Sequence, residues 1–448
     1  MCTDSRAACR EELKMNSRRP PDGGYGWVVV ISAFFIMGLT TAVLKNFGLF
    51  FLDIQSHFQV MTSTTSWVTS TTIGMFHLGA PLASVLTLRF SQRVVIILGG
   101  LLSASGMLLA SLDLSLPWLY LTMGVMQGLG ICFAWIPANS MVSHYFVKWR
   151  PIAYGIASSG ECVFAILFSP FFQWLIETYS WQGALIIIGG LQLNLCVCGA
   201  LMRPLEAPQS PIQETKDNLE GDAAELPPKR KVIFQFSLLR KPELLFYILF
   251  AIFAAAGFFI PPLFLVPFAN SLGMDKYWPA LILSILALAD LAGRLLCGWL
   301  ANMRVVRNLQ LLTMVVTLLG VVLLLLPINQ SYWAIMVFVC LYGFLFGCVV
   351  AIHVTSIVDI VSLEGFDNGL GLFMLFRSFG GFIGPPAAGW LVDQTNDYSS
   401  AFYLSGACLI SSAVFVVLVD RILQKKKCIE AEDQRSNAKD NPDAEKVN

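Results

Sequence analysis

Residues 281–304 read LILSILALADLAGRLLCGWLANMR, an apolar run that carries Asp290 and Arg294 near its middle. A helix of about 20 apolar residues is long enough to cross a bilayer. Each charge at its centre costs roughly 2.5–3.5 kcal/mol, so such residues usually face a protein interior or a water-filled path. Because the acid lies four residues before the base, both occupy one helix face. We expect this face to look onto a functional path, and the alternative is a pair that only joins helices.

The composition of the whole chain agrees with a membrane protein. The 448 residues are 56% hydrophobic and 13% charged, with a mean hydropathy of +0.68. Soluble proteins average about 25% charged residues. The formal net charge is zero, so no nucleic-acid partner is expected. The eleven cysteines lie mostly in apolar runs or terminal tails, so we expect no structural disulfide.

Twelve windows of suitable length and hydropathy predict twelve transmembrane helices. The chain is therefore predicted to be an all-α polytopic membrane protein. The predicted spans are residues 26–51, 67–89, 94–112, 117–142, 152–176, 181–202, 244–270, 278–301, 309–326, 332–358, 370–391 and 401–420.

The connections between these spans alternate between basic and nearly uncharged segments. Five Lys or Arg residues precede the first span, and seven lie in residues 203–243. The chain is again basic from Arg421 to Lys427, and the short connections near residues 89–93, 143–151 and 304–307 each carry two Lys or Arg residues. The alternating connections contain only one, Lys276, in residues 52–66, 113–116, 177–180, 271–277, 327–331 and 392–400. The connection near 361–368 is the exception, with two acids and no base. Because positive charge is enriched in cytoplasmic loops, we predict that both termini and the long middle segment are cytoplasmic.

The middle segment separates two halves of similar length. Residues 206–233 are rich in Pro, Glu, Asp and Lys and poor in aromatic residues, a composition typical of linkers. The predicted organisation is an N-terminal tail at 1–25, a six-helix bundle at 26–202, a linker at 203–243, a second six-helix bundle at 244–420 and a C-terminal tail at 421–448.

The two predicted halves resemble each other. Trp174 and Gly189 in the first half correspond to Trp390 and Gly406 in the second, within segments of similar pattern. Many secondary transporters are built from two such parallel repeats, with the substrate site between them near the bilayer midplane. This pattern favours a carrier over a channel or a receptor.

The first span also contains a costly charge. Lys45 lies in TTAVLKNFGLFF with apolar residues on both sides. If the helix ends near residue 51, Lys45 is close enough to the outer surface for its ammonium to snorkel into water. The other interpretation is that Lys45 faces the path between the halves.

Two motifs resemble the signatures of the monocarboxylate transporters, a branch of the major facilitator superfamily. The first is DGGYGW at 22–27, and the second is YFVKWRPIAYGIASSG at 145–160, in which Trp149 replaces the usual middle basic residue. The likeness extends from about Pro21 to Val419. The signature residues are Asp22, Gly23, Gly24, Gly26 and Trp27 in the first motif and Lys148, Arg150 and Gly155 in the second.

The resemblance implies roles for three charged residues. In that family, a first-span lysine and an Asp-x-x-x-Arg in the eighth span form the proton and substrate site, and Lys45, Asp290 and Arg294 match them. The planar guanidinium of Arg294 suits a carboxylate, so we predict that it binds substrate. Asp290, beside that cation in a dry cavity, is the predicted proton carrier. The resemblance implies that Lys45 receives the anion first and hands its proton to Asp290.

Four further residues are candidates for the transport path. Arg377 stands where proton-linked relatives tend to carry a carboxylate, and could change substrate choice or pair with Glu161. Val354 falls where an aromatic side chain narrows the path in close relatives. Asp359, near a predicted cytoplasmic helix end, is expected to be a gate or helix-end contact. His77 and His353, each alone in an apolar span, are interpreted as hydrogen-bonded core residues.

The leading hypothesis is a proton-linked symporter of small monocarboxylates such as lactate, pyruvate or ketone bodies, working by alternating access. The alternative is a facilitative carrier of an amino acid, creatine or another organic anion, without proton coupling. The chain contains no HExxH or GxSxG motif, so neither a metallohydrolase nor a serine hydrolase is indicated, and we expect no cofactor and no metal site.

The resemblance also implies where the protein works and with what. We expect a plasma-membrane protein whose partners are the lipid bilayer, a small organic anion and a proton. The family likeness further implies a possible single-span immunoglobulin-like chaperone.

Overall fold

The computed structural model describes residues 22–146, 148–203, 240–275, 277–302 and 307–440. Within these ranges the secondary structure is helical apart from short connections, which confirms the all-α prediction. The first half contains α1 Gly26–Lys45, α2 Phe51–Phe58, α3 Thr62–Leu78, α4 Ala80–Arg89, α5 Gln92–Ala110, α6 Leu116–Leu119, α7 Gln127–Tyr145, α8 Arg150–Gln192 and α9 Asn194–Leu201. The second half contains α10 Pro242–Phe258, α11 Ile260–Ser271, α12 Tyr277–Asn302, α13 Asn308–Leu325, α14 Tyr332–Thr395 and α15 Ser399–Asp440.

The long helices account for the predicted spans. In the described residues, nine helical segments are long and apolar enough to cross a membrane, and a tenth is the bent pair α3 and α4. The segment 150–201 holds two predicted spans, separated at Ser180, whose φ of 63° interrupts the helix. Helix α14 contains the predicted spans 332–358 and 370–391. The second span within 150–201 and the span 370–391 of α14 raise the count from ten to the predicted twelve.

The second span differs most from its prediction, which began at residue 67 and ran unbroken to 89. Helix α3 begins at Thr62, and α3 and α4 meet at a 45° bend. The earlier start is possible because Thr65 and Ser66 donate their hydroxyls to backbone carbonyls one turn back. The bend follows from Pro81 in the first turn of α4, because proline has no N–H to continue the helical ladder.

Two pairs of helices form most of the contacts between the halves. Helix α8 packs against α12 on one side of the molecule, and α3 packs against α14 on the other. A glycine lets α14 and α12 approach each other closely within the second half. A Cβ atom on Gly347 of α14 would collide with the Asp290 carbonyl oxygen of α12. Glycine at this position therefore lets α14 cover the buried Asp290 side chain.

The halves also touch at one end of the bundle, which we call the Asp393 end. The Asp393 carboxylate accepts hydrogen bonds from the backbone N–H groups of Thr62 and Ser63, both at 2.9 Å. An acid of the second half thus caps the first turn of α3 in the first half. The Tyr277 hydroxyl donates to Glu177 at 2.7 Å, again between the halves. These contacts close the Asp393 end.

The opposite end, the Asp22 end, carries the start of α1 and the last helix. Helix α15 continues to Asp440, past residue 420, where the sequence prediction ended the last span. Lys426 on this extension lies 2.7 Å from Glu243 at the start of α10. Burial opposes ionisation of Glu243, but the hydrogen bond from Lys426, a backbone hydrogen bond and the charges of Lys426 and Lys241 together outweigh burial and lower its pKa. The extension is therefore fastened to the second half.

Candidate functional site

Four charged side chains meet between the halves, and we call them the charged quartet: Lys45, Glu161, Asp290 and Arg294. The Lys45 Nζ atom lies 2.8 Å from Asp290 Oδ2, and Arg294 Nε lies 2.8 Å from Asp290 Oδ1. Arg294 Nη2 also reaches Glu161 Oε2 at 3.0 Å. The structure thus brings together the three residues predicted for the site and adds Glu161.

The end of α1 directs Lys45 into this cluster. Lys45 is the last residue of α1, and the Asn46 side chain that follows donates to the Ala42 carbonyl oxygen at 2.8 Å. Asn46 also accepts the Ser169 hydroxyl of α8 at 2.6 Å, which holds the turn against the helix that carries Glu161. Because Lys45 contacts Asp290, the alternative in which its ammonium snorkels to the surface is wrong for this structure.

Asp290 is the centre of the quartet and has no exposed surface. It accepts hydrogen bonds from Lys45 and from two nitrogens of Arg294, at 2.8 and 3.2 Å to Nε and Nη2. The Cys162 thiol donates to Asp290 as well, at 3.4 Å. A buried carboxylate is stable only with such partners. Any ligand that draws Arg294 away must therefore leave Asp290 short of positive charge.

Glu161 gives Arg294 a second acid partner. One of its oxygens accepts from Arg294, and the other accepts from the Trp135 indole N–H at 3.2 Å. The sequence hypothesis that Glu161 pairs with Arg377 is therefore wrong, because Arg294 occupies that carboxylate. Sequence reasoning missed Trp135 and Cys162 as neighbours of the site, since neither stands out from the apolar residues around it.

The quartet holds two cations and two carboxylates, so its formal charge is zero. The side chains of Lys45 and Arg294 are 17% and 11% exposed, whereas Asp290 has no exposure. The two cations are thus the more accessible members. An incoming carboxylate can bind them only by displacing an acid from Arg294 or by adding to the Lys45 side of the cluster.

Arg377, on α14, lies apart from the quartet and close to α3 of the first half. Its guanidinium carbon is 5.7 Å from the centre of the Phe259 ring, and the His77 ring of α3 packs on the same phenyl ring at 5.7 Å. Arg377 and His353 both line a small unfilled space of about 10 Å³. We call Arg377, His77, His353 and Phe259 the Arg377 cluster.

The two histidines of this cluster are hydrogen-bonded to their own helices. His77 Nδ1 lies 2.8 Å from the Ile73 carbonyl oxygen, and His353 Nδ1 lies 3.0 Å from that of Val350. These bonds confirm their interpretation as hydrogen-bonded core residues. Of the remaining path candidates, the side chains of Val354 and Asp359 lie outside the described part of the structure.

The two signature motifs form one contact at the Asp22 end. The Asp22 carboxylate accepts from the backbone N–H of Lys148 at 3.0 Å and lies 3.5 Å from that of Trp149. A Cβ atom on Gly26 would lie 2.9 Å from the Phe146 ring, so glycine lets α1 pack on the second motif. These residues join α1 to the connection between α7 and α8.

Other signature residues have distinct surroundings. Arg150 donates to the carbonyl oxygens of Phe146 and Ser143, at 3.0 and 3.1 Å, and so caps the end of α7. Trp27 packs edge-on against Phe146 with ring centres 5.1 Å apart. Gly24 has a φ of +55°, a conformation that favours glycine. Gly155 faces open space.

Comparison with known proteins places the chain among transporters. A family model described as Major Facilitator Superfamily matches residues 29–370 and 306–442. The chain is 34% identical to monocarboxylate transporter 2 of Meriones unguiculatus, over 94% of this chain and 90% of that protein. It is 34% identical to monocarboxylate transporter 12 of Xenopus laevis over 95% of each chain. It is 36% identical to monocarboxylate transporter 13 of Bos taurus over 89% of this chain and 90% of that one.

Solved structures share the fold at lower identity. A bacterial homologue of the human lysosomal transporter Spinster, in an inward-facing and unoccupied conformation, superposes with a TM-score of 0.69 and 17% identity, over 90% of this chain and 97% of that one. The nucleoside transporter NupG superposes with a TM-score of 0.64 and 13% identity, over 90% of this chain and 99% of that one. These matches confirm the predicted fold of two six-helix halves.

Proposed function

Because the chain belongs to the monocarboxylate transporters of the major facilitator superfamily, we propose that it moves small monocarboxylates, such as lactate, pyruvate or ketone bodies, together with a proton. The chain is a membrane transporter and not an enzyme. The observation that carries the coupling proposal is the charged quartet, whose acids and bases neutralise one another between the two halves.

The charge of the quartet supports one proton for each anion. A substrate carboxylate that reaches Arg294 adds one negative charge to a cluster of zero net charge. In a site of low dielectric constant such an excess is costly. Asp290, which loses part of its contact with Arg294, then binds a proton and restores neutrality. When the anion leaves, Arg294 returns to Asp290 and the proton is released.

Lys45 is the first contact for the anion in this scheme. It is the most exposed member of the quartet and lies 2.8 Å from Asp290. An ammonium beside the buried acid can attract the anion and pass a proton to Asp290. Lys45 then takes a proton from the solution, so one external proton enters with each anion. Its position at the end of α1 brings it next to the closed Asp393 end of the path, where a substrate arriving from that side meets it before Arg294.

We further infer that the Asp22 end is cytoplasmic and that the protein works in the plasma membrane. The basic residues Lys148 and Arg203 lie beside Asp22 and Tyr25 at this end, and the positive-inside rule favours the cytoplasm for such residues. The contacts at Asp393 and Tyr277 then shut the path on the outside. Alternating access requires that the bundles at 26–202 and 244–420 rock to break these contacts.

A second candidate function follows from Glu161. A zwitterion such as an amino acid or creatine brings both charges with it, so it leaves the quartet neutral without a proton. Its carboxylate binds Arg294, and its cationic group takes the place of Arg294 at Glu161. Facilitative transport without proton coupling is then expected.

Uptake of labelled lactate, creatine and a panel of amino acids at two external pH values separates the two candidates. We expect lactate uptake that rises as external pH falls, and loss of this pH response in Asp290→Asn. Glu161→Gln is the matched acid-to-amide change at the other carboxylate, and it should impair a zwitterion more than lactate. Proton coupling is contradicted if the rate of lactate uptake is the same at both pH values and is unchanged in Asp290→Asn. The assay is run with and without a single-span immunoglobulin-like chaperone, which the family resemblance implies for surface delivery.

A further inference from the structure

The Arg377 cluster lies outside the quartet, and its chemistry is that of a second anion site. We propose that Arg377 binds the distal carboxylate of a dicarboxylate whose first carboxylate occupies Arg294. The inference rests on the proposed function, because it takes Arg294 as the site of the first carboxylate. It adds a class of substrate, the short dicarboxylates, to the monocarboxylates.

The first support is the charge of Arg377. Each cation of the quartet has an acid within hydrogen-bond distance, but Arg377 forms no ion pair with any residue in the described part of the chain. Its guanidinium carbon lies 5.7 Å from the centre of the Phe259 ring. An aromatic face stabilises a cation only in part. A cation that is partly removed from water and has no ion-pair partner among the described residues is costly, and a bound anionic group lowers that cost.

The second support is the lining beside the guanidinium. The Arg377 side chain is half-buried. It borders a small unfilled space of about 10 Å³, room for roughly one water, whose other walls are mainly aromatic. Apolar and aromatic walls with one charged group are the usual lining of a small-molecule site, and we expect this space to widen when the halves move during transport. The lining residues include Phe250, Phe258, Phe346, His353 and Phe373.

The third support is continuity with the quartet. Phe346 lines the space beside Arg377, and the Lys45 ammonium lies 5.9 Å from the centre of the same ring. One aromatic side chain therefore separates the two cationic centres. The quartet lies where α8 meets α12, whereas His77 and Arg377 belong to α3 and α14, which meet on the other side. A dicarboxylate that passes Phe346 can reach both walls of the path.

Charge balance favours this occupant. A monocarboxylate leaves Arg377 without an anion, while a dicarboxylate gives one carboxylate to each wall. The second carboxylate is balanced by Arg377 and needs no second proton. Both histidines hold their Nδ1 atoms against backbone carbonyls, so Arg377 is the cationic group of this cluster that offers a fork to a carboxylate.

Binding to the purified full-length protein tests the inference without transport. Thermal stabilisation is titrated with malonate, succinate, glutarate and adipate, and with propionate and lactate as monocarboxylates, at constant ionic strength. We expect one chain length to bind about tenfold more tightly than either monocarboxylate, because a charge-assisted hydrogen bond of about 1.5–3 kcal/mol corresponds to at least that factor. Arg377→Gln should abolish this preference. Arg307→Gln, which removes a guanidinium paired with Asp420 outside the path, should keep it.

A ligand change covers the case in which Arg377→Gln does not fold. Replacing one carboxylate of the preferred dicarboxylate by an amide should remove the preference in the unaltered protein. A dicarboxylate preference that survives in Arg377→Gln, or equal binding of the mono- and dicarboxylates, overturns the inference. Lactate uptake is measured in parallel. Its absence contradicts the proposed function, whereas lactate uptake without a dicarboxylate preference contradicts only the second site.

Discussion

Single residues decide the chemistry of this path, and Arg294 has the most demanding task. Its guanidinium bonds Asp290 and Glu161 at the same time, which uses the planar fork of the side chain. Because lysine has a single charged nitrogen, it cannot reproduce the contact of two nitrogens with Asp290 while also holding Glu161. The identity of the cation at 294, and not only its charge, therefore controls the site.

Arg294→Lys should reduce monocarboxylate uptake about 10- to 100-fold, as expected from the loss of charge-assisted hydrogen bonds of 1.5–3 kcal/mol. Initial uptake rates, normalised to surface expression, measure the effect. Arg307→Lys is the matched control, because Arg307 also pairs with an acid, Asp420, but at an exposed position. Uptake by Arg294→Lys at the level of this control removes Arg294 from the substrate site.

The sequence was enough to identify some residues of the site but not all of their contacts. Lys45, Asp290 and Arg294 are recognisable because each is a charge within an apolar run. The partner of Glu161 was not predictable in the same way. Arg294 and Arg377 are equally plausible partners in the sequence, and only the packing of α8 on α12 selects Arg294. The roles of all these residues stay predictions until transport is measured.

Among the helices, α3 depends on an acid from the other half. Burial of Asp393 opposes its ionisation, but the hydrogen bonds from Ser63 and Thr62 outweigh burial and lower its pKa. A lowered pKa in the folded state means that the contact stabilises the protein above the unfolded pKa of about 4. The stabilisation is lost as pH falls through the lower folded value. The contact is therefore at full strength at neutral pH.

Asp393→Asn should weaken the cap of α3 by about 1 kcal/mol at neutral pH, the usual size of such an effect. Thermal unfolding of the purified protein measures the change, with Asp275→Asn as a control at an exposed acid of the same end. The difference between Asp393→Asn and the unaltered protein should shrink as pH is lowered below about 4. A difference that grows on acidification contradicts the role given to the ionised carboxylate.

Helix boundaries were predictable where hydropathy changes sharply and not elsewhere. Residues 62–66 are all Thr or Ser, which hydropathy reads as a loop. In the structure they begin α3, because hydroxyls bond to the backbone and Asp393 caps the first turn. A cap supplied by a residue more than three hundred positions away leaves no local signal in the sequence.

The whole molecule is held in one conformation by contacts between its halves at the Asp393 end. Gly48, just after α1, lies against the backbone of the second half. A Cβ atom there would be 2.5 Å from the Pro262 carbonyl oxygen. Because that neighbour is backbone, a larger side chain can be accommodated only if the halves move apart.

Gly48→Leu should prevent closure of the Asp393 end and reduce uptake several-fold, while leaving the protein folded. Gly190→Leu is the control, since a side chain at Gly190 meets open space. Limited proteolysis or labelling of Lys45 with a membrane-impermeant amine reagent reports the opening. If Gly48→Leu transports as well as Gly190→Leu, closure at this end is not needed for the cycle.

The fold of the whole molecule was the most predictable level. Twelve apolar windows, the linker and the alternation of basic connections indicate a two-half carrier before any contact is known. The closed Asp393 end could not be predicted, because the inward-open and outward-open conformations of a carrier are formed by the same helices. Only the set of contacts between α3 and α14, and between α8 and α12, distinguishes them.

The neutral quartet has an electrical consequence. One anion and one proton together add no charge, so the loaded and the empty carrier present the same charge to the membrane field. A difference of one elementary charge would let 100 mV bias the cycle by about 2.3 kcal/mol. With one-to-one loading that bias vanishes, and the membrane voltage neither drives nor hinders exchange. Net flow then follows the two chemical gradients alone, and either direction is open to the cell.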